Sequence, residues 1–278
     1  MLIQRQKCVL YLLQKLQKCD KIQLAKLLFL LEKETELPRL YSFYSFIPYK
    51  YGPYSFELFH DINIFEKEGF IVTNENTINY QYKQIDLPQI LKNYIHDIIS
   101  KYESMDDNDL IKYVYQQYPE YTIFSEIDKH QKYKRDKKGI FTIGYQGRSI
   151  DEFLRILVKE KTHTLVDIRY NPWSMKYGFT KYTLKTLSEK LDIEYQHIPE
   201  LGIPKDMRQN LNTKKDYDEL FKKYEQHLKK QLLKIQNLKH QAETKRLALM
   251  CFEKDPAFCH RHILGEYLQK MGAEVTIT

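Results

Sequence analysis

From residue 140 onward, short apolar segments alternate with segments of helical periodicity, and this alternation constrains the fold more than any other feature. The apolar segments typical of strands are IFTIGY, THTLVDIRY, IEYQHIPE, KRLALMC and AEVTIT. Helices are predicted between them, the first capped by Ser149 and a long one over about 215–241. Strands alternating with helices predict a mainly parallel sheet with helices on both faces. Residues 139–278 are therefore predicted to form a three-layer, Rossmann-like α/β domain.

The first 130 residues follow a different pattern. Helical periodicity covers the segments 3–17, 22–33, 55–67, 87–103 and 106–117. Apolar and polar residues then alternate around Asn74-Glu75-Asn76, which predicts a β-hairpin. Helices followed by a hairpin are the order of a winged helix, so residues 1–130 are predicted to be a mainly helical, winged-helix-like domain for interaction or nucleic-acid binding. The polar and basic segment 128–139 is predicted to link the two domains.

Charge and cysteine content limit the class of protein. The net charge of +7 and the isoelectric point of about 8.9 favour polyanionic partners. Four cysteines in 278 residues are too few for a disulfide scaffold. The first 20 residues lack the continuous apolar core of a signal peptide, and no apolar run approaches the roughly 20 residues that span a bilayer. We expect a cytoplasmic protein with reduced thiols and no membrane partner.

Polar side chains stand where the predicted strands end, which is where open parallel sheets bind their ligands. We expect these strand ends and the segment after Cys251 to line one cleft. The candidate catalytic residues are His260, Cys251 and Asp167. The candidate substrate-binding residues are Tyr145, Arg169, Ser174, Glu200, Cys259 and Arg261.

The segment from Cys251 to Cys259-His260-Arg261 allows three interpretations. Zinc sites usually pair cysteines two to four residues apart, whereas seven residues separate these two, so we expect no metal. A cysteine between a strand and a helix, near His and Arg, suits a nucleophile because its thiolate is stabilised there. A small buried cysteine that ends a strand is also common as a structural residue. The last two interpretations stay open.

Arginines are stronger candidates than the cysteines for holding a ligand. Guanidinium groups bind carboxylate or phosphate through two parallel hydrogen bonds, and Arg169 and Arg261 both follow predicted strands. His260 suits acid–base chemistry near neutral pH, and Asp167 suits the orientation of either group. The single tryptophan, Trp173, is predicted to be either a core or lid residue or a platform on which a base stacks.

Four stretches of the second half carry a family resemblance. They are TIGYQGRSIDEFL, LVDIRYNPWSMKYGFTKYTL, IEYQHIPELG and LMCFEKDPAFCHRHIL, which occur in this order over about residues 140–270. They resemble the successive motifs of the bacterial family catalogued as domain of unknown function 488. The resemblance implies a cytoplasmic α/β domain with a polar pocket at its strand ends, and it implies no particular activity. The basic region around 205–245 departs from the family pattern.

A second resemblance covers roughly residues 1–120. A helix, the segment KLLFLLEKE, an aromatic run, the segment YKYGPYSFELFHDI and a hairpin follow one another. This order resembles the Panacea (SocA-type) antitoxin domain, and the most telling piece is YGPYS after the aromatic run. The resemblance implies an antitoxin or interaction module.

These features favour an enzyme that acts on a nucleotide or a nucleic-acid component, with its reaction class and cofactor left open. The alternative is a non-catalytic nucleotide sensor or protein-interaction module in a toxin–antitoxin or phage-defence system. The partners we expect are a nucleic acid or nucleotide and a protein bound through the N-terminal domain. An enzyme would turn over its ligand, whereas a sensor would show only ligand-dependent thermal stabilisation.

Overall fold

The structure is a computed structural model that describes residues 2–81, 83–127, 133–208, 211 and 213–278. The chain divides into two compact units, of which the first ends at Tyr133 and the second begins at Lys134. This division falls within the predicted linker, of which residues 128–132 lie outside the described residues. None of the described helices combines the length and the apolar character needed to cross a bilayer.

The first unit is helical with a small antiparallel sheet. Its elements are α1 (Gln4–Leu16), β1 (Lys18–Asp20), α2 (Lys21–Glu34), α3 (Leu37–Leu40), β2 (Ile47–Tyr49), β3 (Gly52–Tyr54), α4 (Phe56–Lys67), β4 (Ile71–Asn74), β5 (Thr77–Tyr80), α5 (Gln89–Tyr102) and α6 (Asp107–Gln117). Strands β4 and β5 form the predicted hairpin, and β1 pairs with β5, which gives the order β1-β5-β4. The sequence did not indicate β1, because a strand of three residues is too short to show an alternation of apolar and polar residues.

The second unit contains the predicted parallel sheet. Its elements are β6 (Gly139–Gly144), α7 (Ile150–Lys159), β7 (Thr164–Asp167), α8 (Lys181–Glu189), β8 (Glu194–His197), α9 (Lys214–Lys229), α10 (Leu232–Ala242), β9 (Arg246–Cys251), α11 (His260–Lys270) and β10 (Val275–Thr276). The strand order is β10-β6-β9-β7-β8, and all neighbouring strands of this sheet are parallel. The prediction of an α/β fold with a parallel sheet is confirmed.

Both faces of this sheet are buried. On one face, apolar residues of β6, β7 and β9 form a core with α9, α10 and α11. Side chains alternate between the faces of a strand, and the residues of opposite parity, such as Phe141, Leu165 and Met250, are buried as well. Helix α7 begins at the predicted cap, where the Ser149 hydroxyl accepts a 3.1 Å hydrogen bond from the backbone N–H of Glu152.

The prediction of a single long helix over 215–241 is wrong, because the helix is interrupted at Lys230 and Gln231, between α9 and α10. An unbroken helix of that length would span about 40 Å, roughly twice the length of a six-residue strand. The break allows Leu228 at the end of α9 and Ile235 on α10 to be buried in the same core. Packing against a short sheet therefore overrides the continuous helical periodicity.

Candidate functional site

The carboxyl ends of β6, β7 and β9 border a cavity of about 420 Å³. Strand β9 lies between the other two, and its last residue, Cys251, pairs in register with Gly144 of β6. Met250 pairs with Asp167 of β7. Three strand ends thus meet at one edge of the sheet, which is the expected position for ligand binding in an open parallel sheet.

Gly144 allows the segment after β9 to cross the end of β6. A Cβ atom at this position would lie 1.7 Å from the carbonyl oxygen of Glu253, a distance that no side chain can occupy. The segment 252–258 is therefore held directly against the strand end and forms part of the cavity wall.

Cys251, Cys259 and His260 form a buried cluster at the cavity. The short 3₁₀ turn Pro256–Phe258 brings the chain back, so that Cys259 stands at the N-cap of α11 and His260 is its first residue. The Cys251 Sγ lies 3.6 Å from His260 Nδ1. The hydrogen bond from the Cys259 thiol lowers the pKa of Cys251, in opposition to burial, and the charges of Arg208 and Arg261 also lower it.

The ring of His260 is oriented by the sheet and by α9. Its Nε2 lies 3.3 Å from the carbonyl oxygen of Ile168, and the ring of Tyr224 packs against it edge-on. A carbonyl oxygen only accepts, so this contact places the proton on Nε2. The lone pair of the neutral ring is then on Nδ1, the atom nearer to Cys251.

Asp167 and Arg169 form a buried ion pair. The Arg169 guanidinium donates to both carboxylate oxygens of Asp167, at 2.9 and 2.6 Å, and its Nη1 donates to the Tyr145 hydroxyl and the Phe179 carbonyl. The Tyr195 hydroxyl also donates to Asp167, at 2.7 Å. Burial alone would lower the pKa of Arg169, but the hydrogen bonds and charge of Asp167 raise it. With four hydrogen bonds already made, Arg169 has little capacity left to hold a ligand anion.

Arg261 is fully buried, and its contacts are structural. The guanidinium donates to the carbonyl oxygens of Glu253, Lys254 and Thr278. It therefore holds the segment after β9 and the last residue of the chain in place. Arg261 is not among the described residues that line the cavity.

The predicted site residues divide into two groups. Tyr145, Arg169, Ser174, Cys251, Cys259 and His260 line the cavity. Within the described part of the chain, Asp167, Glu200 and Arg261 lie outside its wall. Glu200 is half-exposed and pairs with Lys234 at 3.4 Å, and a backbone hydrogen bond lowers its pKa. Asp167 reaches the cavity only through Arg169.

Sequence reasoning missed two cations and most of the aromatic residues of the cavity. Lys205 and Arg208 line it from the short segment after β8. We define the rim as the exposed apolar residues of the lining, which are Tyr170, Trp173, Met175, Phe252 and Phe258. Trp173 is 67% exposed, so it is not a core residue. The basic composition around 205–245 was the available signal for the cations, but nothing in the sequence indicated which of them face the site.

Residues 149–268 match the model of the family described as domain of unknown function DUF488. The match supports the family resemblance of the second half. Because it begins at residue 149, it does not include Gly144, Tyr145 and Gly147 of the first motif. It does not reach the first unit, so the Panacea resemblance stays a prediction. No curated protein and no solved structure matches the chain.

Proposed function

We propose that the second unit is an enzyme that acts on a nucleotide or a nucleic-acid component. The observation that carries the proposal is the cavity itself, in which a cysteine–histidine cluster faces an aromatic rim and two cations. Each part answers one requirement of such a substrate. The rim stacks a base, the cations hold a phosphate and the cluster supplies the reactive group.

In this proposal Arg208 and Lys205 hold the anion, instead of Arg169 and Arg261, which the sequence indicated. Arg169 is committed to Asp167, and Arg261 to backbone carbonyl groups. Arg208 and Cys251 line the same cavity. The charge of Arg208 lowers the pKa of the Cys251 thiol, although the hydrogen bond from Cys259 lowers it more. A guanidinium in this position can bind a phosphate through two parallel hydrogen bonds.

The rim is suited to a flat aromatic ligand. Trp173, Phe252 and Phe258 are large, exposed and part of the cavity lining. Exposed aromatic side chains around a cleft that also contains cations are the usual means of binding single bases, because every base has a stacking face. Trp173 is held in a turn by the hydrogen bond from its backbone N–H to Asn171 Oδ1, at 3.2 Å.

The reactive group is the cluster of Cys251, Cys259 and His260. A thiol beside an imidazole can act as a nucleophile and its base. Asp167 is a positioning residue in this proposal, because it fixes Arg169 and, through it, the Tyr145 hydroxyl.

The test is turnover of a mixture of nucleotides, DNA and RNA by the full chain, followed by chromatography and mass spectrometry. We expect a new product with the wild type and none with His260→Ala. The matched control is His240→Ala, because His240 is exposed on α10 and does not line the cavity. Equal loss in both variants, or no product with the folded wild type, contradicts the proposal. Ligand-dependent thermal stabilisation without a product would instead support the sensor.

We also propose that the first unit is a winged-helix-like interaction domain that binds a protein. The strand β1 between α1 and α2 pairs with the hairpin in the order β1-β5-β4, which supports the winged-helix arrangement. Helix α4 precedes the hairpin, Glu57 and Asp61 are buried on it, and its exposed charges are Glu66 and a single lysine, Lys67. Such a helix suits the phosphate backbone of DNA poorly. We therefore expect Lys67→Glu to leave DNA binding by the full chain unchanged, and a loss would place DNA on α4.

A further inference from the structure

We propose that Cys251, Cys259 and His260 form a zinc site with three protein ligands, whose fourth position faces the cavity. The proposal deepens the function proposed above, because it states what the reactive group is. It depends on the arrangement of the donor atoms and can be tested without any substrate.

The donor atoms lie close to the spacing that zinc requires. The two sulfur atoms and one ring nitrogen all lie within 4.8 Å of one another. With Zn–S of about 2.3 Å and Zn–N of about 2.0 Å, a tetrahedral angle puts sulfur and nitrogen about 3.5 Å apart. The observed distance from Cys251 Sγ to His260 Nδ1 is 3.6 Å. Little rearrangement of this pair is therefore needed to bind the ion.

The second nitrogen of His260 has the partner that metal-binding histidines normally have. Such histidines donate their other N–H to a carboxylate or carbonyl oxygen, which fixes the ring and its tautomer. Here His260 Nε2 lies 3.3 Å from the Ile168 carbonyl oxygen. This contact leaves the lone pair of Nδ1 directed toward the cysteines.

Two positive groups lie near the cluster, although burial raises the pKa of the Cys259 thiol. Cys259 stands at the N-cap of α11, where the helix dipole is positive. Arg208 lines the cavity next to Cys251. Two buried thiolates would be costly alone, but a divalent cation compensates both charges. Two thiolates and an imidazole are ligands that favour zinc over magnesium or calcium.

The cluster is both buried and open on one side. Cys251, Cys259 and His260 are 3%, 1% and 2% exposed, and all three line the cavity. Structural zinc sites are closed by four protein ligands, whereas catalytic sites keep three and leave a position for water. Three ligands at a cavity wall therefore predict the catalytic type.

The sequence argued against zinc because the usual spacing rule counts residues between paired cysteines. The seven intervening residues include the turn Pro256–Phe258, which folds the chain back on itself. The third ligand, His260, directly follows the second in the chain.

Cys251, Cys259 and His260 would hold a zinc ion, and such an ion would favour hydrolysis, because it would lower the pKa of a water in its open position to about 7. The oxygen of that water would form a bond to the electrophilic atom of the substrate as the scissile bond breaks. The leaving group would depart with the electron pair of that bond and take up the proton that the water releases. No oxidant or reductant is needed.

The experiment is a titration of the reduced, metal-free full chain with Zn²⁺ and, separately, with Co²⁺. We expect one ion per chain by elemental analysis. The Co²⁺ protein should show thiolate-to-metal charge transfer and the strong visible bands of a tetrahedral ion. Cys251→Ser, Cys259→Ser and His260→Gln should each weaken binding at least about tenfold, the lower range for disturbed metal sites. His240→Gln and Cys19→Ser are the matched controls that should bind like the wild type, with melting curves for all variants.

The wild type decides the matter even if a variant fails to fold. A folded wild type that takes up no stoichiometric Zn²⁺, or a Co²⁺ spectrum without thiolate bands, overturns the site. Loss of the ion in a folded control variant also overturns it. Zinc binding without turnover would support the site and contradict the proposed enzyme. Turnover that needs His260 but no metal would contradict the site and leave the proposed enzyme intact.

Discussion

Each unit of the chain buries two cysteines, and of these four only Cys251 has a lowered pKa, because burial raises the pKa of Cys8, Cys19 and Cys259. Cys8 and Cys19 lie in the apolar core of the first unit, where burial raises the pKa of each thiol to about 12. Cys251 is equally buried, but hydrogen bonding from Cys259 lowers its pKa. The comparison teaches that burial alone does not make a cysteine inert. The groups that contact a buried thiol decide how readily it ionises to the thiolate.

The strongest test of this comparison is selective alkylation of the reduced, metal-free protein by iodoacetamide near neutral pH. Only the thiolate reacts, and its fraction falls tenfold for each unit by which the pKa rises. Because a less basic thiolate is also a weaker nucleophile, Cys251 should be labelled at least about tenfold faster than Cys8 or Cys19. Mass spectrometry of the labelled peptides over time gives the rates. Similar rates at Cys8 and Cys251 in the folded protein would refute the assignment.

Buried ion pairs extend the comparison to stability. Arg169→Ala leaves Asp167 as a buried charge, which should cost about 3–5 kcal/mol of the free energy of unfolding. In the first unit, Arg5→Ala should cost less, because the Arg5 side chain is 19% exposed and lies 3.4 Å from Asp61, whereas that of Arg169 is 6% exposed and lies 2.6 Å from Asp167.

Denaturant titrations of both variants measure these differences. Lys185→Ala removes an exposed pair with Glu189 and serves as the control, with a change of at most about 1 kcal/mol. A larger loss from Arg5→Ala than from Arg169→Ala would reverse the comparison.

The cysteines of the first unit should also make stability fall at alkaline pH. The folded-state pKa of Cys8 is raised, so its contribution is fully present below the unfolded value of 9.0 and is lost as the pH rises toward about 12. The free energy of unfolding should decrease by about 1.4 kcal/mol per pH unit for this thiol. Denaturation of the wild type and Cys8→Ala across that window should show a shallower slope in the variant, and equal slopes would exclude Cys8 as the cause.

The smallest expected effect sharpens the role of the rim. Trp173→Ala should weaken binding of a short single-stranded DNA about tenfold, since one stacked base is worth roughly 1–3 kcal/mol. Tyr182→Ala on α8 is the control, because Tyr182 is exposed but does not line the cavity. Fluorescence anisotropy of a labelled oligonucleotide measures both affinities. If both variants bind like the wild type, the rim does not stack bases.

The parallel sheet could be predicted because its inner strands, β6, β9 and β7, are mostly apolar and helices separate the strands along the chain. The predicted strand 140–145 and the observed β6 (Gly139–Gly144) differ by one residue at each end. Register and strand order could not be predicted, because they depend on which buried faces fit together. The position of β9 between β6 and β7, which brings Cys251 to the centre of the edge, is a result of that packing.

Residue type indicated part of the cavity but not the direction of its side chains. Arg169 follows the end of β7 and Arg261 lies in the first turn of α11, yet their donors are directed at Asp167 and at backbone carbonyl groups. Arg208 carried no motif and lines the cavity. A pattern in the sequence states which groups are near a strand end, whereas the fold decides which of their hydrogen bonds are already made.

Because the Glu253 carbonyl lies so close to Gly144, the end of β6 and the segment after β9 have to evolve together. The same carbonyl accepts a hydrogen bond from Arg261. A methyl group at position 144 would displace the carbonyl and leave a buried guanidinium short of a partner, so these positions must be selected jointly. Recombination that replaced the strand β6 with that of a relative would yield a working protein only if the incoming strand also ended in glycine.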